Sequence, residues 1–576
     1  MTPSRTTSGM YVTEIPASGT ITGVPTAVPV FIGYTQCAGD PATGAALYGI
    51  PVAITSMAQF IACFGSAAPR PYAVSVAAAE ATPDLLANFT LAGTGPDEFT
   101  VATTGFSLKS VSPDTAGPFC LYSHLCLFFA NGGGPCYVVS VGSYWRGQSP
   151  VAPPDPVPSA WIPAAIVVGD PATGAHGLLT GLAAAAGISG PTMIVIPEAC
   201  QLNLADYGRV ACAMLAQAGT LQDRMAILDL PGCLAANTVA GLQACQDDFI
   251  AAIAPQAAHV GYGVAYAPAL NSSIVAPGDI LYTNLVAANG DNSVVNNILT
   301  TQANMLYSGA QLANVQIAIA AAFPVTQSSI NTAQYSGSTT SAATPPIAYP
   351  TPGTDLPAWQ LTLDRLLLDA LPVFQQIVQL IAADMNVMAP SASLAGLWAM
   401  NDNKNGVWDA PANVALAGVT SLLCDMSDAQ QGGFNTPLNG EAINIIRSQP
   451  NRGSVVWGAR TLDGNNQDYR YIHARRTLIY IDQSIRMALQ SYVFAANDAL
   501  TWTTVTASVS AFLTGVWQAG GLMGSTASQA FTVTCGIGSS MTAQDMLKGD
   551  MIVSVTLQMV HPAEFIELTI AQAMQG

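Results

Sequence analysis

The sequence predicts an α/β (α+β) protein: a mixed β-sheet flanked by helices, with β-rich insertions and extended strand arms at both ends. Three observations carry this. Between residues 160 and 270, AAIVV, TMIVIP, RMAILDL and VGYGVAYAP alternate with Ala-rich helical stretches, the order expected of a mostly parallel sheet covered by helices. Further on, Leu478, Ile481, Ile485, Ala488, Leu489 and Tyr492 recur at helical spacing, and Val505, Val509, Phe512, Leu513 and Val516 form a second stripe. Each end of the chain carries a short alternating strand with no obvious partner beside it.

Taken in order, residues 1–24 read as an arm. A polar start leads into MYVTEI (Met10, Tyr11, Val12, Thr13, Glu14, Ile15), closed by Pro16 and the turn-rich ASGTITG. Residues 25–63 begin the core, where VPVFIGYT is a continuous β-branched and aromatic run and so a buried strand. Residues 64–118, rich in Pro, Ala, Thr and Gly around EFTVAT, predict a small β-rich insertion. Residues 119–270 resume the α/β core. Within them CLFFANGGGPCYVVSVG (126–142) reads as a hairpin, two strand-like runs about a Gly-rich turn. Its triple glycine lacks the Gly-Lys-Ser/Thr of a phosphate loop. GLLTGLAAAAGISGPTMIVIP is broken by Gly and Pro, which predicts a buried helix and a buried strand, not a membrane span.

Residues 271–356 are rich in Asn, Ser, Thr and Pro with little periodicity, and predict an outer insertion or long exposed loop. Residues 357–437 read as a helical and loop part of the core, with a kink at Pro372. Residues 438–560 read as a C-terminal domain. In its MIVSVTLQM, Val553, Val555, Leu557 and Met559 alternate with polar residues, the mark of a strand with one wet or inter-subunit face. Residues 561–576 form a second arm around EFIELTIAQ, with Ile566, Leu568 and Ile570 on one face. A pair of terminal strands suits exchange between neighbouring copies, because an open sheet edge invites another chain. The expected donors are residues 10–15 and Glu564, Phe565, Ile566, Glu567, Leu568, Thr569 and Ile570.

Composition narrows the function. A chain of 576 residues is too long for one core, and two to four domains are expected. Charged residues make up 9%, against roughly 25% in ordinary soluble domains. So little charge leaves a monomer poorly solvated, which points to a surface covered by other subunits. The net charge of −18 opposes nucleic-acid binding, which needs cations to replace phosphate counterions. Residues 441–576 hold 8 basic and 9 acidic groups, so the acidity lies almost wholly upstream. MTPSRTTSGM lacks the apolar stretch of a signal peptide.

Chemistry-bearing motifs are scarce. His124, His176, His259, His473 and His561 fall in no zinc-ligand spacing, and the eleven cysteines include no C-x-x-C pair. No nucleophile elbow, P-loop or dinucleotide fingerprint occurs, so no catalytic, cofactor or metal residues are predicted. The odd feature is VVWGARTLDGNNQDYRYIHARRTLIYID (455–482), which gathers Arg460, Arg470, Arg475 and Arg476 from a total of 16 basic residues. Asp463, Asp468 and Asp482 lie in the same stretch, and structural ion pairs among these seven residues are the expectation. Contacts to a neighbouring subunit are the alternative.

Several segments resemble the tail sheath proteins of contractile phage tails and related contractile injection systems. They are SLAGLWAMNDNKNGVWDAPAN (393–413), LNGEAINIIRSQPNRGSVVWGARTL (438–462), YRYIHARRTLIYIDQSI (469–485), VFAANDALTW (493–502), FLTGVWQAGGLMG (512–524) and HPAEFIELTIAQ (561–572). GMYVTEI and FFANGG–CYVVSV also fit. VFAAN replaces the family's VFEPN, Ser140 stands where a basic residue often follows, and 271–356 has no counterpart in the minimal core. The resemblance implies a non-enzymatic structural subunit, without cofactor, that polymerises helically around an inner tube protein and contracts. It implies baseplate, terminal-cap and sister-sheath partners, no nucleic acid and no membrane insertion. It also implies cytoplasmic assembly into a phage tail or tail-like particle; the helix–turn region 503–524 is our choice for the surface that faces the tube. The rival readings are a subtilisin-like hydrolase and a surface adhesin or binding module.

Overall fold

The computed structural model describes residues 21–68, 70–76, 85–92, 99–110, 119–144, 166–285, 292–325, 356–435, 437 and 441–564. The predicted arm strand 10–15 and residues 565–570 lie outside these.

The continuous apolar run after the first arm becomes β1 (Pro29–Thr35), and every one of its residues is buried. That is what a strand covered on both faces requires. β1 belongs to an eight-stranded sheet with β2 (Val52–Ile54), β3 (Cys136–Ser143), β4 (Met193–Val195), β5 (Met225–Asp229), β6 (Gly263–Ala267), β7 (Asn444–Gln449) and β8 (Gly453–Val456). The spatial order is β8-β7-β6-β5-β4-β1-β3-β2. The six central strands pair in parallel, and β2 and β8 close the edges antiparallel. This is the mixed sheet flanked by helices that the sequence predicts.

Alternation along the strands sends side chains to two cores. Val30, Ile32, Val139 and Ile194 meet α2 (Leu178–Ala186), α3 (Leu204–Leu221) and α4 (Val239–Ile253) on one face. Phe31, Val138, Val195 and Ile227 meet α1 (Leu121–Ala130) and α5 (Ser391–Asn405) on the other. Nine consecutive residues of α5, from Ser391 to Ala399, are buried, and Trp398 Nε1 donates to Tyr266 Oη at 3.0 Å.

Two readings need correction here. The expected hairpin at 126–142 is instead the end of α1 followed by β3. Leu121, His124, Leu125 and Phe128 bury one helical face, and β3 pairs in parallel with β1. A parallel pair needs a crossover, commonly a helix, which a two-strand hairpin cannot supply. Residues 166–168 of the AAIVV run are not a strand. They lie beside the sheet, with Tyr34 Oη accepting from Val167 N at 2.9 Å.

The insertions do not stand apart. Strands Tyr72–Val76, Leu85–Ala92 and Phe99–Ser110 form a sheet with the last in the middle. Tyr72 and Val74 share a core with helices Ser293–Leu306, Gly309–Ala322, Leu356–Ala370 and Pro372–Met385. Residues 292–322, expected as loop, are therefore two helices. Their polar composition hides the stripe Val295, Ile298, Leu299 and Ala303. The helix pair around Leu371 bends by 112°, as the proline predicts, and packs with the insertions, away from the main sheet.

The C-terminal stretch also divides. β7 and β8 complete the large sheet, while a smaller core forms from α6 (Ile472–Leu489), α7 (Ala499–Gln518), β9 (Phe531–Cys535) and β10 (Val553–Leu557). Ile481, Ile485, Val505, Val509, Leu513 and Val516, all on the two predicted stripes, lie at its centre.

Candidate inter-subunit interface

Helix α6 gathers both ends of the described chain. Its Arg476 Nη2 donates to Thr26 O at 3.1 Å, and its Ser484 Oγ accepts from Val24 N at 3.1 Å, so the first described residues run along this helix. On the adjoining face His473 Nε2 contacts Val560 O at 3.0 Å, close to the last described residues. Burial lowers the His473 pKa, against the bond to Val560, so the ring is neutral and Nε2–H is the donor.

The ion pairs differ from the expected ones in their partners. Arg460 is 5% exposed and forks onto Glu564, with Nε–Oε1 at 2.8 Å and Nη2–Oε2 at 2.6 Å. Tyr471 Oη and Asn435 Nδ2 also donate to that carboxylate. Burial alone raises its pKa, but these donors and the Arg460 charge outweigh it and hold the group below the ordinary value. Arg476 forks onto Asp402 at 2.8 and 2.5 Å, with its guanidinium 4.5 Å from the Trp398 ring. Arg475 lies between the rings of Tyr262 (4.3 Å) and Tyr469 (3.7 Å) and donates to Gly261 O. Burial lowers its pKa, while the two tyrosines and Asp463 counter that. Arg470 donates to Asn466 O at 3.2 Å, and Asp463 accepts from Asn466 Nδ2 at 2.9 Å. The Asp468 amide donates to Asn466 Oδ1 at 2.9 Å. Asp482 meets Arg486 at 3.0 Å on the half-exposed outer face of α6. Sequence reading missed Asp402 and overlooked Glu564 as an ion-pair partner, because both lie far from the arginine stretch.

β9 and β10 form a two-stranded sheet. Val553, Val555 and Leu557 turn inward, as the alternation predicts, and line a groove of ≈ 550 Å³ with Ile481, Ile485, Leu489 and Val493 of α6 and the following loop. Among the described residues, β10 has only β9 as a neighbour, so one strand edge is open beside an apolar trough. Phe494 is fully exposed nearby, with Met487, Val493 and Leu500 also exposed. Residues 499–544 contain no charged side chain at all.

Parallel α/β sheets usually take ligands where the chain reverses direction across the sheet, at the carboxyl ends of the strands. Here that point, between β1 and β4, is filled from within. Glu198, just past β4, accepts from Tyr34 N (3.0 Å), Cys120 N (3.0 Å) and Leu121 N (3.4 Å) at the start of α1. The chain's own carboxylate thus takes the place of an anion at a helix N-terminus. Burial pushes the Glu198 pKa up to about 7 against those three bonds. Ser391 Oγ donates straight to Asp229 at 2.5 Å, both groups being buried, while His124 Nδ1 contacts Cys120 O. No imidazole stands between serine and carboxylate, as nucleophilic activation by a triad requires. Among the described residues no group of three His, Cys, Asp or Glu side chains is placed to hold a metal.

Residues 464–573 match the family described as phage tail sheath C-terminal domain. The chain is similar to the tail sheath protein of Vibrio phage KVP40, 27% identical over 143 residues; the match covers 24% of this chain and 21% of that protein. Its fold resembles the contracted sheath complex of an extracellular contractile injection system, PVC, with TM-score 0.50, 21% identity and 99% of each chain covered. It also resembles the contracted helical sheath of the anti-feeding prophage, with TM-score 0.51, 20% identity, and 99% and 100% of the two chains covered.

Proposed function

We propose that this chain is the structural sheath subunit of a contractile injection machine, polymerising helically around an inner tube and contracting to drive it through a target envelope. The observation that supports this is the open edge of β10 beside an apolar groove, on the small core whose helix α6 contacts Val24 and Val560. A two-stranded sheet is marginal alone, and added strands complete it. Segments 10–15 and 564–570 of neighbouring copies would supply strands of suitable length and alternation. The resulting mesh keeps subunits connected while they rotate as rigid bodies.

A helical polymer needs heterologous contacts that repeat without closing, and an arm of one copy in the groove of the next is such a contact. The small-residue, uncharged outer face of α7, within 503–524, is read as the side facing the tube. α7 is long and apolar enough to cross a membrane, but it packs into the small core through Val505, Val509 and Leu513. The chain is read as non-enzymatic, binding no nucleic acid, and assembling in the cytoplasm into a phage tail or tail-like particle with baseplate, cap and sister-sheath partners.

Electron microscopy of the overexpressed full chain tests this. Long sheaths are expected, and deletion of either arm is expected to leave a folded subunit that forms none. Normal sheaths from an arm-deleted chain, or a strictly monomeric wild type, would refute the reading. Labelling of Ser391 by a serine-directed probe would favour a hydrolase.

A further inference from the structure

We propose that α6 clamps the roots of both arms as one rigid unit, and that Gly23 sets the seat of the N-terminal root by lying flat against Tyr480. The proposal rests on the sheath reading above.

Arg476, Tyr480 and Ser484 are spaced by four residues, so they stack along one face of α6 over about 12 Å. Thr26 O meets Arg476, and Val24 N meets Ser484. Just before Val24 the chain passes so close to the helix that a Cβ on Gly23 would lie 2.1 Å from Tyr480 Oη and 2.9 Å from Cζ. No real side chain tolerates that spacing. Tyr480 cannot easily retreat, because its ring packs against Trp408 at 6.5 Å and Phe512 at 5.9 Å between centroids. Glycine here serves close approach to the tyrosine ring, which an added Cβ must displace, and not an unusual backbone angle.

The second arm leaves from the start of the same helix. His473 holds Val560, and Tyr471, just before the helix, joins Arg460 on Glu564. α6 is itself pinned to the central helix α5 by the Arg476–Asp402 fork. The two roots thus meet on a single helix.

The test compares Gly23→Ala with Gly278→Ala, where an added Cβ meets nothing within 4 Å. In the isolated full-length subunit, Gly23→Ala is expected to speed amide exchange of Val24 by about tenfold or more with the global unfolding midpoint unchanged. In assembled sheaths it is expected to cause contraction under milder denaturant or loss of the extended form. Tyr480→Leu in the Gly23→Ala background restores room and should recover both. Unchanged Val24 exchange in Gly23→Ala, or failure of Tyr480→Leu to rescue, overturns the clamp even where no sheath forms. Absence of wild-type sheaths with altered exchange would instead overturn only the assembly reading.

Discussion

Arg460 and Glu564 are 104 residues apart, yet the guanidinium grips the carboxylate at two points, 2.8 and 2.6 Å. This fork ties the segment that follows β8 to the last of the described residues. Glu564 is held by Arg460, Tyr471 and Asn435 at the last of the described residues.

Glu564→Ala removes the carboxylate and leaves Arg460 buried without it. The expected cost is about 2 kcal/mol, felt mainly as local release of the C-terminal root. Limited proteolysis should cleave the C-terminal segment faster, and Glu564→Gln should fall between. Equal cleavage rates in all three proteins would contradict the anchor.

Acid should loosen the same root. The Glu564 pKa is depressed from 4.5, so its contribution is complete above that value and is lost as pH falls through the lower folded value. The His473 pKa is depressed from 6.5, so its neutral-form contribution likewise fades as pH drops below 6.5. Asp409, His561 and Arg476 face that ring, and the latter two oppose its protonation. C-terminal protease sensitivity should rise as pH falls from 7, first below 6.5 and again below 4.5; a decrease would reverse the assignment.

Asp402→Ala leaves Arg476 as an unpaired buried charge and should cost about 3–5 kcal/mol by denaturant unfolding. The double change Arg476→Met, Asp402→Leu should recover much of this, since paired removal leaves no orphaned ion. A double variant no better than the single one would show that the Thr26 and Trp398 contacts dominate instead.

Glu198→Ala strips the acceptor from three buried amides and should destabilise by about 3 kcal/mol. Because the Glu198 pKa is raised to about 7, its ionisation inside the fold opposes stability, so this group's contribution declines as pH rises from 4.5 through about 7. Glu198→Gln should remove that decline. An unaltered pH profile in Glu198→Gln would assign the slope elsewhere, Asp229 being the other carboxyl raised to about 7.

Val555→Asp places a charge in the groove beside β10. Because Val555 is only partly buried, the subunit should stay folded by circular dichroism while long sheaths disappear from micrographs. Abundant sheaths from this variant would move strand docking away from the groove.

Periodic apolar patterns were legible from the residues alone. The buried run of β1, the stripes of α6 and α7 and the alternation of Val553, Val555 and Leu557 all have the burial their spacing implies. The 126–142 segment misled because LCLFF is equally apolar as helix or strand. Only the crossover to a parallel neighbour decides between them. The two insertions read as separate because their shared core joins residues near 72 to residues near 299 and 374.

The sequence by itself therefore determined the fold class, the amphipathic elements and the concentration of arginines, all of which depend on nearest neighbours in the chain. Tertiary structure alone decided the arginines' partners. Asp402, Glu564 and the rings of Trp398 and Tyr262 reach them only when distant segments pack, because a buried cation takes whichever carboxylate or aromatic face the fold desolvates beside it.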